Sequence, residues 1–487
     1  MTFRKLITFL TFVAVLTMAV RISVDTDTWW HLRAGETILE DGILRSDVFS
    51  LTRTGQSWAY PGWISQILLI SVYRLAGIAG LNLLTGLLVM LAFAVLWHRM
   101  DAPVLFRSFV IILATAASGV YWSARPQIIS FALAGVFLAL LEGAQRGKRR
   151  PLLMLPVLMA LWANMHGGFV IGFLLLLAYL GGTIAEALVG GWSRGSLQAA
   201  FSARQEDLRW FGLITLGCAV AVSLNPHGPQ MLLYPFRTVS IGVLQDYIQE
   251  WQSPNFHHLE ILPFLIMVLM LLTAFTWTGR KVRAAEYFLV LGFLPLALMA
   301  GRNIALFALA GVLPLARHGY GALEPLLARI PSSRALPEKV TRTVNVLLLI
   351  LLTAAALVKI SIPLQADQIQ NALEQSLPVD AVSYLEENPS LGRLFNSYNW
   401  GGYVLWRLYP DYKSFVDGRT DLFDDEILGE YLQAWRADEG WEDIFAHWEI
   451  QVVLLETNAP LTGALDDSGW ETAYQDAMAV VMVRPEP

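Results

Sequence analysis

The sequence predicts a polytopic α-helical membrane protein followed by a small water-soluble α/β domain. Three observations carry that expectation. Of 487 residues, 55% are hydrophobic and only 15% charged, with a mean hydropathy of +0.50; a soluble chain carries about 25% charged residues. The apolar residues are clustered: 81–96, 128–141, 169–180 and 344–357 run with few or no charges. Charge is also unevenly placed, because more than half of the 40 acidic residues follow Ser361, where basic residues are few. A lipid core admits only backbone that bonds to itself, so the apolar runs are helices of roughly 20 residues. Buried helices of a soluble protein would alternate apolar and charged faces, and that alternation is absent.

The chain opens with Arg4 and Lys5 and an apolar run over 6–20. Arg21 interrupts any small-residue cleavage site, so this segment reads as a retained first helix. Further spans are expected near 81–97, 103–121, 127–145, 151–164, 168–186, 208–224, 260–277, 284–300, 302–316 and 343–360, about eleven in all. The stretch 63–76 is short and carries Ser65, Gln66, Ser71 and Arg74. The positive-inside rule decides its place. If it crosses, the clusters at Arg146–Arg150 and Arg280–Arg283 fall outside. If it lies in the interface, those clusters fall inside with the N-terminus. The second arrangement is expected, with the tail on the outer face of an inner (plasma) membrane of a bacterium. The division is then a transmembrane part, 1–360, and a soluble part, 361–487.

In the tail, 378–387 reads as a helix, 402–408 and 414–416 as strands around a turn at Pro410-Asp411, 444–447 as a helix, and 451–455 and 477–483 as strands. The acidic tail excludes a nucleic-acid partner. Cys218 is the only cysteine, so no intrachain disulfide forms.

The outer loops hold the unusual polar residues. The first runs Val24-Asp25-Thr26-Asp27-Thr28-Trp29-Trp30-His31-Leu32-Arg33 and opens a helix from about 28 to 41. A carboxylate here can take a proton from a hydroxyl or hold a divalent Mg or Mn. The bland role is a helix cap by Asp27 or Thr28, with Trp29 and Trp30 anchoring headgroups. Arg125 and Arg302 fall at outer helix ends, where a cation can meet a phosphate leaving group or snorkel to headgroups. Asn164-Met165-His166-Gly167-Gly168 and Asn225-Pro226-His227-Gly228 each offer an amide and a histidine after a span. Either can bind sugar hydroxyls, or serve only as a capped turn. Glu250 adds a carboxylate to a later loop.

The first helix, the acidic pair and the interfacial segments together resemble the opening of the GT-C superfamily of membrane glycosyltransferases. Asp27-Thr28-Trp29-Trp30-His31-Leu32-Arg33 is similar to the corresponding word of oligosaccharyltransferase catalytic subunits. Trp58-Ala59-Tyr60-Pro61-Gly62-Trp63 and Ser123-Ala124-Arg125-Pro126-Gln127 resemble segments of protein O-mannosyltransferases and lipid A aminoarabinose transferases. The resemblance covers about the first 145 residues; beyond them it rests on helix count. It implies a sugar moved from a polyprenyl-linked donor to a glycan, lipid or protein acceptor. Asp27, or else Asp25, would act on the acceptor hydroxyl, and Arg125 and Arg302 would hold the leaving phosphate. His31, Trp30, His166, Asn164, His227 and Glu250 would line the substrate.

The chain departs from the metal-binding members at Gln127, where they carry a second acid. Asp246 and Glu250 are the replacements at hand, and no metal ligand is assigned. In the tail, Trp400 and Tyr403 belong to a word that loosely resembles the acceptor-reading word of oligosaccharyltransferases, followed by Asp417-Gly418-Arg419. These four residues are candidate substrate contacts, or packing. Two other readings stay open: a scaffold or transport component of a cell-envelope pathway, and transfer of a whole glycan to protein.

Overall fold

The computed structural model describes residues 2–239, 241–242, 249–329 and 337–485. Each of the eleven predicted spans falls on a helix. Among the described residues, seven helices are long and apolar enough to cross a membrane by themselves. The other four spans fall on Phe3–Ala19 (α1), on the shorter apolar helices Arg150–Ala163 and Ala284–Met299, and on Leu197–Val222, whose first half carries Arg204, Glu206, Asp207 and Arg209. Gln127–Gln145 and Gly301–Leu327 form the centre of the bundle, with 83% and 89% of the residues in their apolar stretches buried, whereas only 6% are buried in that of Glu338–Leu364, which runs along the rim.

The ambiguous stretch ends at a break. Trp63–Trp97 is continuous by hydrogen bonding, but Ala76 and Gly77 leave helical geometry, Gly77 with φ +59°. That left-handed conformation suits glycine. It separates 63–75 from the apolar span that follows. The segment before the break packs with Asp27–Asp41 (α2).

The basic clusters meet at one end of the bundle. Arg146 pairs with Asp101 at 2.9 Å, Arg280 donates to the Asp101 carbonyl at 3.3 Å, and Arg283 pairs with Glu142 at 3.0 Å. Arg125 and Arg146 flank a 19-residue helix, which is about 28 Å long. The acidic loop and the basic clusters therefore sit at opposite ends.

The tail covers the acidic end. Its sheet has the order β1-β2-β4-β3. Strand β1 (Arg393–Asn396) runs parallel to β2 (Ile450–Glu456). Strand β4 (Ala479–Val483) pairs antiparallel with β2 and with β3 (Glu471–Gln475). The helices near 378–387 and 444–447 and the strands over 451–455 and 477–483 lie where the sequence predicts. Two expected strands do not form. Residues 402–408 lie in a helix, Gly401–Leu408, because Val404, Leu405 and Leu408 repeat at helical spacing and bury together. Residues 414–416 give only an isolated bridge, Ser50 to Ser414. That bridge reflects a shared core: Trp30, Phe49 and Trp58 of the first loop pack with Phe395, Phe415 and Phe423 of the tail.

Candidate active site

The site is built around the first turn of α2. Asp25 Oδ1 accepts the Asp27 N–H at 3.0 Å, and the Asp25 carbonyl accepts the Thr28 N–H at 3.2 Å. Asp25 thus satisfies the helix start, rather than Asp27 or Thr28. The Asp27 side chain is left free to face inward.

It meets Arg125. The guanidinium binds three carboxylates: Asp25 at Nε, 3.1 Å; Asp27 at Nη1; and Glu250 at Nη2, 3.0 Å. Arg302 reaches the other Glu250 oxygen at 3.6 Å and lies over the Trp251 ring, 4.4 Å from its centroid. The turn carrying Glu250 is docked by the Gly301 N–H on the Gln252 carbonyl, 2.9 Å. Three carboxylates therefore share two guanidinium groups. Burial raises the Asp27 carboxyl, Arg125 pulls it down, and Asp25 and Glu250 push it up again, leaving it at about 7. Burial also raises Glu250, but Arg125 and Arg302 outweigh it and hold that group below its ordinary value.

This cluster borders a cavity of about 800 Å³ between bundle and tail. Asp25, Asp27, Trp30, His31, Arg125, His166, Glu250 and Arg302 all line it, so eight of the predicted site residues come together from loops far apart in sequence. His31 stacks on Trp30 with ring centroids 3.5 Å apart, and its Nδ1 lies 3.4 Å from Gln66 Nε2. Burial and the nearby Arg125 keep it neutral. His166 is held by the Gly168 N–H at 3.1 Å and by Ser130 Oγ at 2.8 Å, both at Nδ1. With Nδ1 accepting, the ring proton sits on Nε2. Burial, Arg302 and Arg125 lower His166 to about 3, so it serves as a neutral hydrogen-bonding group.

The remaining predicted contacts do not line the cavity. Asn164 accepts from Trp63 Nε1 at 2.8 Å and pins the start of the 63–75 segment. His227 lies in a turn capped by Asn225, whose Oδ1 accepts the His227 backbone N–H at 2.9 Å. Trp400 and Tyr403 are buried in the tail-to-bundle core, Tyr403 edge-on to Trp29 at 5.2 Å. Asp417 and Arg419 are wholly buried with Asp47. Arg419 donates to Asp417 at 2.8 and 2.7 Å and to Asp47. The four tail residues miss the cavity for one reason: the tail packs so closely on the first loop that its polar words are taken up in the joint.

Gly418, between the last two, does reach the cavity. A Cβ there would overlap Asp27 Oδ1. Gly418→Ala is expected to destabilise the joint between tail and bundle by about 1–3 kcal/mol, the usual cost of overpacking. The melting temperature of the full chain checks it; an unchanged value would mean that the joint does not depend on this close approach.

Several lining residues have no counterpart among the sequence candidates. They are Tyr60, Gln127, Tyr234, Tyr398, Asp421, Tyr431, Trp435 and Glu456. Tyr60 lies in the quoted Trp58–Trp63 word, which was a usable signal. Asp421 accepts from Tyr234 at 3.1 Å and is raised by burial. Gln127 ends the quoted Ser123–Gln127 word, Tyr234 opens a short helix of the bundle, and Tyr398 lies in the word that holds Trp400 and Tyr403; Asp421, Tyr431, Trp435 and Glu456 belong to tail elements with no motif.

A divalent metal does not fit this carboxylate set. Asp25, Asp27 and Glu250 are arranged around a planar guanidinium, not around a point, and among the described residues no three His, Cys, Asp or Glu side chains are placed to hold an ion. Asp246 lies outside the described residues.

No protein-family profile matches the chain, and no curated protein matches it in sequence. Solved structures do match in shape. The oligosaccharyltransferase of Archaeoglobus fulgidus, tethered with an acceptor peptide containing the NVT sequon, aligns at TM-score 0.56 and 12% identity, over 93% of this chain and 68% of that one. Its apo form gives TM-score 0.53 at 12% identity, over 93% and 69%. ArnT from Cupriavidus metallidurans bound to undecaprenyl phosphate covers 99% of both chains at 14% identity, with TM-score 0.47. Identities this low speak to architecture alone. In fold, this chain is a polytopic helical bundle with a small C-terminal α/β domain, similar in architecture to the archaeal oligosaccharyltransferase.

Proposed function

We propose that the chain is an inverting glycosyltransferase. It moves a sugar from a polyprenyl phosphate or pyrophosphate to an acceptor hydroxyl, at the membrane face that carries the tail. The observation that supports this most is the meeting of Asp27 with Arg125 and Arg302 in one cavity. Asp27 takes the proton of the acceptor hydroxyl. The hydroxyl oxygen attacks the anomeric carbon, and the bond from that carbon to the phosphate oxygen breaks on the opposite side. The phosphate leaves with the electron pair, and Arg125 and Arg302 meet its charge. Glu250 holds both arginines in the free protein, so the donor phosphate displaces it. One displacement inverts the anomeric centre.

The lipid tail of the donor lies between helices in the bilayer. The basic clusters at the far end of the bundle favour a cytoplasmic N-terminus and an outer tail, in an inner membrane. A scaffold role leaves the convergence of eight polar and aromatic loop residues on one cavity without a reason. Glycan transfer to a peptide loses support because Trp400 and Tyr403, in the word resembling an acceptor reader, pack away from the cavity.

The test is release of polyprenyl phosphate or pyrophosphate by the full chain in proteoliposomes, with a panel of polyprenyl-linked sugars. Release from at least one donor is expected; no release from any would overturn the proposal. Because Arg125 supplies the positive charge, EDTA is expected to change the rate less than about twofold. A loss restored by Mn²⁺ or Mg²⁺ would show that an ion is needed after all.

A further inference from the structure

The cavity has two ends of different chemistry. One holds the carboxylates and arginines described above. The other is furnished wholly by the tail, with Ser397, Tyr398, Tyr431, Trp435 and Glu456. Its carboxylate is oriented before any ligand arrives: Ser397 Oγ donates to Glu456 Oε1 at 2.5 Å, and Trp435 Nε1 lies 3.5 Å from Oε2. An ionised carboxylate has about four acceptor positions, so about two remain for a ligand. Tyr398 and Tyr431 are set beside one another, ring centroids 6.3 Å apart. The Tyr431 hydroxyl is fixed by the Tyr398 N–H at 2.9 Å. At about 800 Å³ the cavity lies in the upper part of the range for ligand sites, about 300–1,000 Å³. That is more than one sugar phosphate needs.

We propose that this tail-side end is the acceptor site and that the acceptor is a carbohydrate. The inference rests on the glycosyltransferase reading and names its second substrate. A sugar ring presents C–H faces and a hydroxyl edge. The aromatic faces suit the first, and the free positions of Glu456 suit two neighbouring hydroxyls. A lipid chain would need no carboxylate. Seated here, the ring presents a hydroxyl across the cavity to Asp27; that oxygen bonds to the donor's anomeric carbon, its proton passes to Asp27, and the phosphate leaves.

The test uses the full chain in nanodiscs with a productive polyprenyl-linked donor. Three acceptor arms run in parallel: methyl glycosides and disaccharides, serine- and threonine-containing peptides, and alkylammonium alcohols. Transfer to saccharides is expected. Trp435→Ala and Glu456→Gln should each raise the saccharide KM about tenfold or more, the equivalent of one well-made contact, while donor KM moves less than twofold. Trp435→Tyr, which keeps a ring face, should recover most of the affinity and shows that the alanine variant is not simply misfolded. Transfer to peptides or ammonium alcohols in place of saccharides overturns the inference, as does an unchanged saccharide KM in both variants. A wild-type chain that cleaves no donor removes the glycosyltransferase reading itself; one that cleaves donor and fails only these acceptor criteria removes the carbohydrate site alone.

Discussion

Asp27→Asn is expected to reduce sugar transfer by about 100-fold or more, the usual contribution of a positioned base, with donor binding retained. Asparagine keeps the size of the side chain and one oxygen for Arg125, but it cannot accept a proton. Asp25 and Glu250 still neutralise Arg125, so the cluster stays assembled. The wild-type pH profile gives the same residue a second test. Asp27 is held at about 7, about three units above an ordinary aspartate. The working form is the ionised one, so the rate should fall tenfold per unit as pH drops below about 7 and level off above it. The residual rate of Asp27→Asn should be flat through that window. Asp25→Asn should cost less, because an amide oxygen can still accept the Asp27 N–H. Transfer by Asp27→Asn at the wild-type rate would transfer the base to another group and remove the central assignment.

What the sequence made legible was whatever depended on local composition. Hydropathy located the spans and the end of the stretch 63–76, beside which the helix breaks at Ala76 and Gly77. Asp27, Arg125, His166 and Arg302 stood out because polar residues at helix ends in an apolar chain are rare. The tail was harder to read. Tyr403, Val404 and Leu405 look like a strand, since three bulky apolar residues in succession fit either period; only the fourth, Leu408, on the same buried face, marks the helix. Trp435 and Glu456 carry no local signal. They lie in a helix and at a strand end, and only the parallel crossover between β1 and β2 brings them to one wall. Asp417 and Arg419 were visible as a charged turn, yet their partner Asp47 lies some 370 positions earlier, so a buried lock and an exposed contact looked alike.

Arg419→Met is expected to destabilise the joint between tail and bundle by about 3–5 kcal/mol, the cost of removing one partner from a buried ion pair. Arg419, Asp417 and Asp47 have no more than 1% exposure, so water cannot take over the lost contacts. Arg419 also sits over the rings of Trp58, Phe49 and Phe423 at 5.1 to 5.7 Å, where methionine replaces packing but not charge. Burial raises the Asp47 carboxyl, and Arg419 with Ser50 outweighs it and holds the group ionised. Without the guanidinium two carboxylates are left facing each other, and one must take up a proton or the joint must open. The variant should therefore melt at lower temperature and lose more stability as pH rises, since ionising both acids is what the missing cation no longer offsets. Tail proteolysis should quicken, and transfer should fall although Arg419 touches no part of the cavity, because Gly418 sets Asp27 only while the joint is closed. A residue that bound substrate would give the opposite pattern: normal melting, a slow-cutting tail and a raised KM. That outcome would return Arg419 to the substrate and leave the joint to be held by the aromatic core around Phe49 and Trp58.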